Sequence, residues 1–312
     1  MTTLLLSHHA SLDHLTPPGH PERPERMRAV AQALADPRFE ALVRRDAPEG
    51  SLDHVSLCHD NHYIDELRHV APQSGLVYID GDTSLSPGTW EAVMRGVGGA
   101  VAATDAVMKG EHTNAFVATR PPGHHAESNK AMGFCFFDQA AVAARYAQRT
   151  YGIGRAAVVD FDVHHGNGSE DIVAGDERVL MLSTFQSALY PFCGERPLAD
   201  NILSVPLLPY SRGDAFRSAV TEHWLPALER FRPQLIMVSA GFDAHRDDEL
   251  GQLGWTEDDY AWVTRRLVEQ AGRHAGGRIV SVLEGGYDLR ALMRSVERHV
   301  RELMEIGTEE IG

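Results

Sequence analysis

The sequence has little cysteine. Its three residues, Cys58, Cys135 and Cys193, are an odd number at unrelated spacings. This argues against a disulfide framework and against a cysteine-based zinc knuckle. We expect reduced thiols, buried as small apolar side chains.

The sequence also lacks a long hydrophobic run. No apolar stretch approaches the roughly 20 residues that a transmembrane helix needs. Residues 1–6 carry no basic segment of the kind that begins a signal peptide. We therefore expect a cytoplasmic protein that does not associate with membranes.

Positive charge is in deficit, because 29 Lys and Arg against 44 Asp and Glu give a formal net charge of −15. This balance argues against unspecific binding to nucleic acid or to anionic membranes, and weakly favours cationic substrates. Hydrophobic side chains make up 43% of the residues, enough for a large core. We expect one domain over residues 1–312.

Apolar, strand-like segments alternate with longer segments of helical periodicity. Strands are predicted at residues 4–6, 115–118, 156–159, 179–182, 202–205, 235–238 and 279–283. Helices are predicted at residues 24–34, 89–108, 139–149, 216–231, 256–273 and 289–304. The alternation indicates an α/β fold with a single open, mostly parallel sheet covered by helices on both faces. Residues 40–88 are the least periodic, and we expect loops at the rim of the site there.

Polar side chains follow several of the predicted strands. Arg-Pro-Pro-Gly-His-His occupies 120–125, and Asp-Phe-Asp-Val-His-His occupies 160–165. Ser-Ala-Gly-Phe-Asp at 239–243 and Leu-Glu-Gly-Gly-Tyr at 283–287 cover the ends of two further strands. Because ligands bind at the carboxyl ends of the strands in open α/β sheets, we expect these side chains to converge on one hydrolytic site.

Asp162, His164 and Asp243 are the candidate metal ligands. Alternate residues of an extended segment share a face, so Asp160, Asp162 and His164 point the same way. Two carboxylates and an imidazole suit a catalytic Zn²⁺, although Fe²⁺ or Co²⁺ could use the same ligands. The alternative is that Asp162 and Asp243 only cap the helices that follow them.

His124 and His125 follow a rigid Pro-Pro-Gly turn, and two adjacent imidazoles suit a general base and a general acid. Asp160 is predicted to orient one imidazole and Asn167 the other. Tyr287, after two glycines, is predicted to stabilise an oxyanion. The alternatives are hydrogen-bonded structural histidines and a core tyrosine.

These motifs, with Gly-Phe-Cys-Phe-Phe at 133–137, resemble the zinc-dependent histone deacetylase family over about residues 5–300. Gly-His-Pro-Glu-Arg-Pro-Glu-Arg at 19–26 and Asn167 resemble its class II branch, which includes bacterial amidohydrolases and acetylpolyamine deacetylases. The resemblance implies the arginase-deacetylase fold and a single catalytic domain. It implies removal of acetyl from acetyl-lysine in peptides or proteins, or alternatively from an acetylated polyamine.

The resemblance also implies residue roles. It implies Zn²⁺ on Asp162, His164 and Asp243, His124 paired with Asp160, His125 paired with Asn167, and Tyr287 polarising the acetyl carbonyl. It implies a substrate channel at Gly133, Phe134, Tyr190 and Leu250, with Asp82 at its rim. It implies a structural monovalent cation, K⁺, near Asp160, Asp162, His164, Ser183 and Thr184. Core packing of the two aromatics and helix capping by Asp82 are the alternatives.

One segment departs from the family. Many relatives read Gly-Asp-Pro-Leu-Gly after the last zinc aspartate, whereas this chain reads Asp-Asp-Glu-Leu-Gly at 247–251, so that Glu249 replaces proline. The family's channel mouth is seven residues after that aspartate, where a glutamate is associated with acetylpolyamines. Here that residue is Leu250, which favours acetyl-lysine.

Three other functions are disfavoured. An arginase-like ureohydrolase would want a second metal and more Asp and His ligands than these strands offer. A Ser-His-Asp esterase would need a Gly-x-Ser-x-Gly elbow, which the sequence lacks. A non-catalytic acyl-lysine binding protein has no use for His124, His125 and Tyr287 together. The sequence predicts no oligomeric state.

Overall fold

A parallel eight-stranded sheet forms the centre of the structure, a computed structural model in which residues 2–305 are described. The strands are β1 (Thr3–Ser7), β2 (Val43–Asp46), β3 (Val77–Tyr78), β4 (Ser84–Leu85), β5 (Asn114–Val117), β6 (Ala156–Asp160), β7 (Val179–Gln186), β8 (Ile202–Leu207), β9 (Leu235–Ala240) and β10 (Ile279–Leu283). The order in the sheet is β2-β1-β5-β10-β9-β6-β7-β8, and β3 and β4 form a separate antiparallel pair. Every pairing in the large sheet is parallel, so the predicted sheet is confirmed.

Helices cover both faces of this sheet. They are α1 (Glu25–Leu34), α2 (Leu52–Val55), α3 (Asn61–Val70), α4 (Thr89–Met108), α5 (Gln139–Tyr151), α6 (Asn167–Val173), α7 (Gly213–Ala219), α8 (Leu225–Phe231), α9 (Glu257–His274) and α10 (Leu289–Glu305). Side chains alternate along a strand, so Leu5 and Phe116 pack with α1, α9 and α10, while Leu4 and Ala115 pack with α4 and α5. Because both faces of the inner strands are buried, those strands are hydrophobic along their length, and this made them predictable from the sequence.

Two predictions about the helices and loops were wrong in part. The helix predicted at 216–231 is divided into α7 and α8 by a π-helical turn, Val220–Trp224. Pro226 lies at the start of α8 and has no N–H to donate, which favours a local change in the hydrogen-bond ladder. Residues 40–88, expected as loops, contain β2, β3, β4, α2 and α3. β2 reads Val-Arg-Arg-Asp and is a mostly exposed edge strand, so it has almost no apolar signal.

The cysteine prediction holds only in part, because Cys135 is buried, Cys58 is half-buried and Cys193 is exposed. Within residues 2–305, none of the helices combines the length and apolar character that crossing a bilayer requires.

Candidate active site

The predicted site residues converge at one edge of the sheet. His124 and His125 follow β5, Tyr287 follows β10, and Asp243 follows β9. Asp160 is the last residue of β6. These four strands are neighbours and parallel, so their carboxyl ends deliver the side chains to the same place.

The three predicted metal ligands form a compact buried cluster. One ligand atom from each of Asp162, His164 and Asp243 lies within 4.8 Å of the other two, the only such group of three found among residues 2–305. The Nδ1 atom of His164 is 3.0 Å from Asp162 Oδ1 and 3.2 Å from Asp243 Oδ2. Asp243 Oδ2 is buried and accepts no hydrogen bond. A buried carboxylate oxygen without a partner is costly, so this donor set fits a divalent cation.

Main-chain groups hold both carboxylates in place. Asp162 accepts from the main-chain N–H of His164 and of Gly285, each at 2.9 Å. Asp243 accepts from the N–H of Val163 at 2.9 Å. Neither carboxylate accepts from the first turn of a helix, so the capping alternative does not describe them.

Glycine is required where the main chain approaches these carboxylates. A Cβ atom on Gly241 would lie 2.0 Å from Asp162 Oδ2, and one on Gly285 would lie 2.1 Å from Asp243 Oδ2. Both distances are much shorter than a van der Waals contact, so neither position accepts a side chain unless a carboxylate moves. This explains why both strand ends carry glycine.

The two histidines lie side by side, with ring centroids 4.0 Å apart. His124 Nδ1 is 2.9 Å from Asp160 Oδ2, and His125 Nδ1 is 2.8 Å from Asn167 Oδ1. The amide nitrogen of Asn167 donates to Glu127 Oε1 at 2.7 Å, which fixes the amide with its oxygen toward His125. His125 therefore carries its proton on Nδ1 and leaves Nε2 free to accept one.

The environments of the two imidazoles push their pKa values apart. Burial alone would lower the pKa of His124, but the carboxylates of Asp160 and Asp162 outweigh it and hold that pKa well above its usual value. Burial holds the pKa of His125 well below its usual value, and the neighbouring imidazoles of His124 and His164 lower it further. A pair with separated pKa values supplies one proton donor and one proton acceptor at the same pH.

Tyr287 follows β10 and comes after the candidate metal ligands in the sequence, whereas the two histidines come before them. Its N–H donates to Asp248 Oδ2 at 2.6 Å, and the guanidinium carbon of Arg26 is 4.9 Å from its ring centroid. Burial raises the pKa of the Tyr287 phenol well above its usual value, so the hydroxyl keeps its proton at neutral pH. It is therefore available as a hydrogen-bond donor.

Two aromatic side chains that were predicted to belong to the substrate channel lie beside the site residues. The ring of Phe134 is 5.9 Å from that of Tyr287, and the ring of Tyr190 is 5.1 Å from that of His125. Gly133 has φ of 57°, and a Cβ atom there would lie 2.5 Å from the His125 ring, so this turn needs glycine. Both aromatics are half-buried beside the site rather than in the core.

Asp82 and Leu250 are the remaining residues that were predicted to belong to the substrate channel. Asp82 is exposed, and its carboxylate accepts from the Thr83 hydroxyl at 2.9 Å rather than from a helix N-terminus. The Thr83 hydroxyl in turn accepts from the N–H of Phe134 at 3.1 Å. Leu250 and Tyr287 lie on the wall of a cavity of about 290 Å³, which we call the mouth cavity. Its lining residues are Gly19, His20, Pro21, Arg23, Asp247, Asp248, Glu249, Leu250, Tyr287 and Asp288.

The residues of the predicted K⁺ site lie next to one another. Ser183 pairs with Asp160 across β7 and β6, and its hydroxyl is 3.1 Å from His165 Nδ1. The hydroxyl of Thr184 is buried without a partner. A monovalent cation at this position stays a prediction.

A buried charge cluster beside the site was not predicted. Glu22 accepts two hydrogen bonds from Arg120, each at 2.6 Å, and one from Arg26 at 3.2 Å. Arg26 also donates to the carbonyls of Gly286 at 2.6 Å and Glu284 at 2.5 Å. The cluster connects Glu22 and the first turn of α1 to the two turns that carry His124 and Tyr287. The only signal in the sequence was charge inside two of the family motifs, at 19–26 and 120–125.

Removing Glu22 should destabilise the fold strongly. Glu22→Ala leaves two buried guanidinium groups without their carboxylate, which we expect to lower the free energy of unfolding by about 3–5 kcal/mol. Burial would raise the pKa of Glu22, but Arg120 outweighs it and holds that pKa well below its usual value. The stabilisation is therefore present at neutral pH and is lost as the pH falls through the folded-state pKa.

Denaturant unfolding of Glu22→Ala and Glu25→Ala measures this. Glu25 makes an exposed ion pair with Arg28 on the same helix, so its removal should change the free energy by less than about 1 kcal/mol. Equal stability of the two variants would contradict the role assigned to Glu22.

Known proteins resemble this chain over nearly its whole length. The model of the histone deacetylase domain family matches residues 20–303. A histone deacetylase-like amidohydrolase of Pseudomonas aeruginosa is 40% identical over 277 residues, covering 86% of this chain and 73% of that protein. A probable deacetylase of Archaeoglobus fulgidus is 34% identical over 302 residues, covering 94% of this chain and 83% of that protein.

A solved structure has the same architecture. The crystal structure of the HDA15 HD domain matches with a TM-score of 0.90 and 30% identity, over 97% of this chain and 89% of that chain. The eight-stranded parallel sheet is thus the arginase-deacetylase fold, and metal dependence, typically on zinc, is a property of this family. The chain belongs to the histone deacetylase family and is a deacetylase of the amidohydrolase type.

Proposed function

We propose that this chain is a single-domain, zinc-dependent enzyme that hydrolyses the acetyl amide of acetyl-lysine in peptides or proteins. The observation that carries the proposal is the buried Asp162, His164 and Asp243 cluster, in which Asp243 Oδ2 accepts no hydrogen bond. Two imidazoles with separated pKa values and a protonated phenol are further support. A carboxylate cluster that only stabilised the fold would require none of these groups.

The side chains divide the reaction between them. Asp162, His164 and Asp243 would hold the Zn²⁺, which when bound polarises the acetyl carbonyl and lowers the pKa of the attacking water. His125, neutral and free at Nε2, takes a proton from the attacking water. His124, held protonated by Asp160, gives a proton to the leaving amine. The Tyr287 hydroxyl donates to the oxygen that becomes negative as the carbonyl is attacked.

The first test is turnover of a fluorogenic acetyl-lysine peptide. We expect the purified wild-type protein with bound metal to release acetate and leave an unmodified lysine in the peptide. His125→Ala should lose most of this activity, because removal of a general base typically costs 10²–10⁴-fold. The alternative of a non-catalytic acyl-lysine binding protein predicts binding of the same peptide without turnover. No hydrolysis by the wild type would therefore reject the proposal.

An acetylated polyamine is the second candidate substrate, and the mouth cavity favours it. Asp247, Glu249 and Asp288 line this cavity, and the side chain of Glu249 is exposed. The carboxylates would attract a second ammonium group on the substrate.

We expect the wild type to prefer acetyl-lysine peptides to acetylspermidine and acetylputrescine, measured as kcat/KM under one condition. Leu250 gives the lysine stem apolar contact but offers no counter-charge, and a desolvated ammonium without one is disfavoured by several kcal/mol. A polyamine preference that collapses in Glu249→Leu would contradict this and assign selection to the neighbouring carboxylate.

A further inference from the structure

Glu284, the first residue after β10, has a buried side chain that reaches the loop carrying the two histidines. Its Oε2 atom accepts hydrogen bonds from the main-chain N–H groups of Gly123 at 2.7 Å and His124 at 3.2 Å. The residue has no exposed surface, and its Oε1 atom has no hydrogen-bond partner. The carboxylate therefore has one clear set of contacts, and these are to the main chain of the histidine turn.

The main chain of Glu284 is itself held rigidly. Its N–H donates to the carbonyl of Ala240 at 3.0 Å, and its carbonyl accepts from Arg26 at 2.5 Å. Three residues later the chain reaches Tyr287, whose N–H is fixed by Asp248. Glu284 thus connects the turn that carries His124 and His125 to the turn that carries the phenol.

The other main-chain anchors of the histidine turn are carbonyl groups, including that of Pro121, which accepts from Gln139 Nε2 at 3.1 Å. The carbonyl of His124 accepts from the N–H groups of Gly168 and Ser169, at 2.9 and 3.2 Å. The N–H groups of Gly123 and His124 have Glu284 as their acceptor. Without that acceptor, two buried donors would be left unsatisfied, and the turn would shift to find other partners.

We infer that Glu284 is a positioning residue for the deacetylase reaction: its carboxylate fixes the main chain of Gly123 and His124, and so places both imidazoles against the acetyl group. The inference rests on the proposed function for its kinetic consequence. Because the contact is to N–H groups, an oxygen at the right distance is what the turn requires. The essential property of Glu284 is therefore the position of its acceptor oxygen, not its negative charge.

Three substitutions distinguish the position of the acceptor oxygen from its charge. Glu284→Gln keeps an oxygen acceptor at the same distance and removes the charge. Glu284→Asp keeps the charge and withdraws the carboxylate by one methylene, and Glu284→Ala removes both. We expect Gln to retain kcat within about five-fold, and Asp and Ala to lose about 10²-fold, the order of loss that a displacement of about 1 Å causes. KM and metal content should stay within about two-fold in all of them.

Amide hydrogen exchange over residues 123–125 gives a readout that does not depend on turnover. Exchange should be faster in Glu284→Asp and Glu284→Ala, and unchanged in Glu284→Gln. The matched control is Glu302→Ala, which removes a buried carboxylate bonded to Arg265 at 2.7 and 2.9 Å, away from the histidine turn. It should change neither kcat nor exchange at the turn.

The outcomes are distinct. Higher kcat in Glu284→Asp than in Glu284→Gln, or unchanged exchange in Glu284→Ala, would overturn the inference. If Glu284→Ala does not fold, the comparison of Asp with Gln still decides it. Failure of the proposed function shows separately, as absence of acetyl-lysine hydrolysis by the wild type.

Discussion

Replacing Tyr287 by phenylalanine is expected to lower kcat on an acetyl-lysine peptide by about 10²–10³-fold, the usual cost of removing one oxyanion donor. The ring, its contact with Phe134 and the main-chain bond to Asp248 would remain, so fold and metal content should not change. Steady-state kinetics with metal analysis and thermal unfolding of both proteins measure the effect.

The matched control for this substitution is Tyr210→Phe. Tyr210 is 78% exposed and lies outside the residues of the candidate site, so loss of its hydroxyl should leave kcat unchanged. A Tyr287→Phe enzyme within a few-fold of the wild type would assign Tyr287 to packing. His125→Ala should be at least as damaging as Tyr287→Phe, since it removes the proton acceptor.

Asp243→Ala should abolish both metal binding and turnover. The purified wild type is expected to hold about one divalent ion per chain and to lose activity to a strong chelator. Asp243 supplies the only carboxylate oxygen of the cluster that has no hydrogen-bond partner among the described residues, so the substitution removes the proposed ligand atom together with the hydrogen bond from the Val163 N–H. Elemental analysis after gel filtration, together with kcat, measures the result.

Asp258→Ala is the control for metal content. Asp258 is an exposed aspartate of α9 that pairs with Arg298 and is not one of the candidate metal ligands. Its removal should leave about one ion per chain. Full metal content and wild-type turnover in Asp243→Ala would reject the ligand assignment.

The sheet could be predicted from the sequence because its strands are buried on both faces. Short continuous apolar runs that alternate with amphipathic helices, such as 156–159 and 235–238, are typical of buried parallel strands. The same reasoning failed for β2, where three of four residues are charged and exposed. It also failed inside the helix predicted at 216–231, because a proline changes the hydrogen bonding without changing the apolar period.

The site could be predicted from position as well as from residue type. Asp160 and Asp162 stand at the end of a strand, where a parallel sheet presents side chains to ligands. Glu284 stands in an equivalent place, yet its role was missed. Its partners are main-chain N–H groups of a distant turn, and such groups look the same in every sequence. Glu22 was missed for a related reason, since no spacing indicates which buried arginine a glutamate will meet.

The active site depends on residues near the start of the chain, because the cluster of Glu22, Arg26 and Arg120 supports it. No residue proposed to hold the metal, to transfer a proton or to stabilise the oxyanion precedes His124. A fragment beginning at residue 27 would therefore contain all of the proposed chemistry. It would nevertheless leave Arg120 as a buried, uncompensated cation, and the carbonyls of Glu284 and Gly286 without their donor. The segment that contains Glu22 and the first turn of α1 is thus a structural part of a catalytic centre to which it contributes no reacting group.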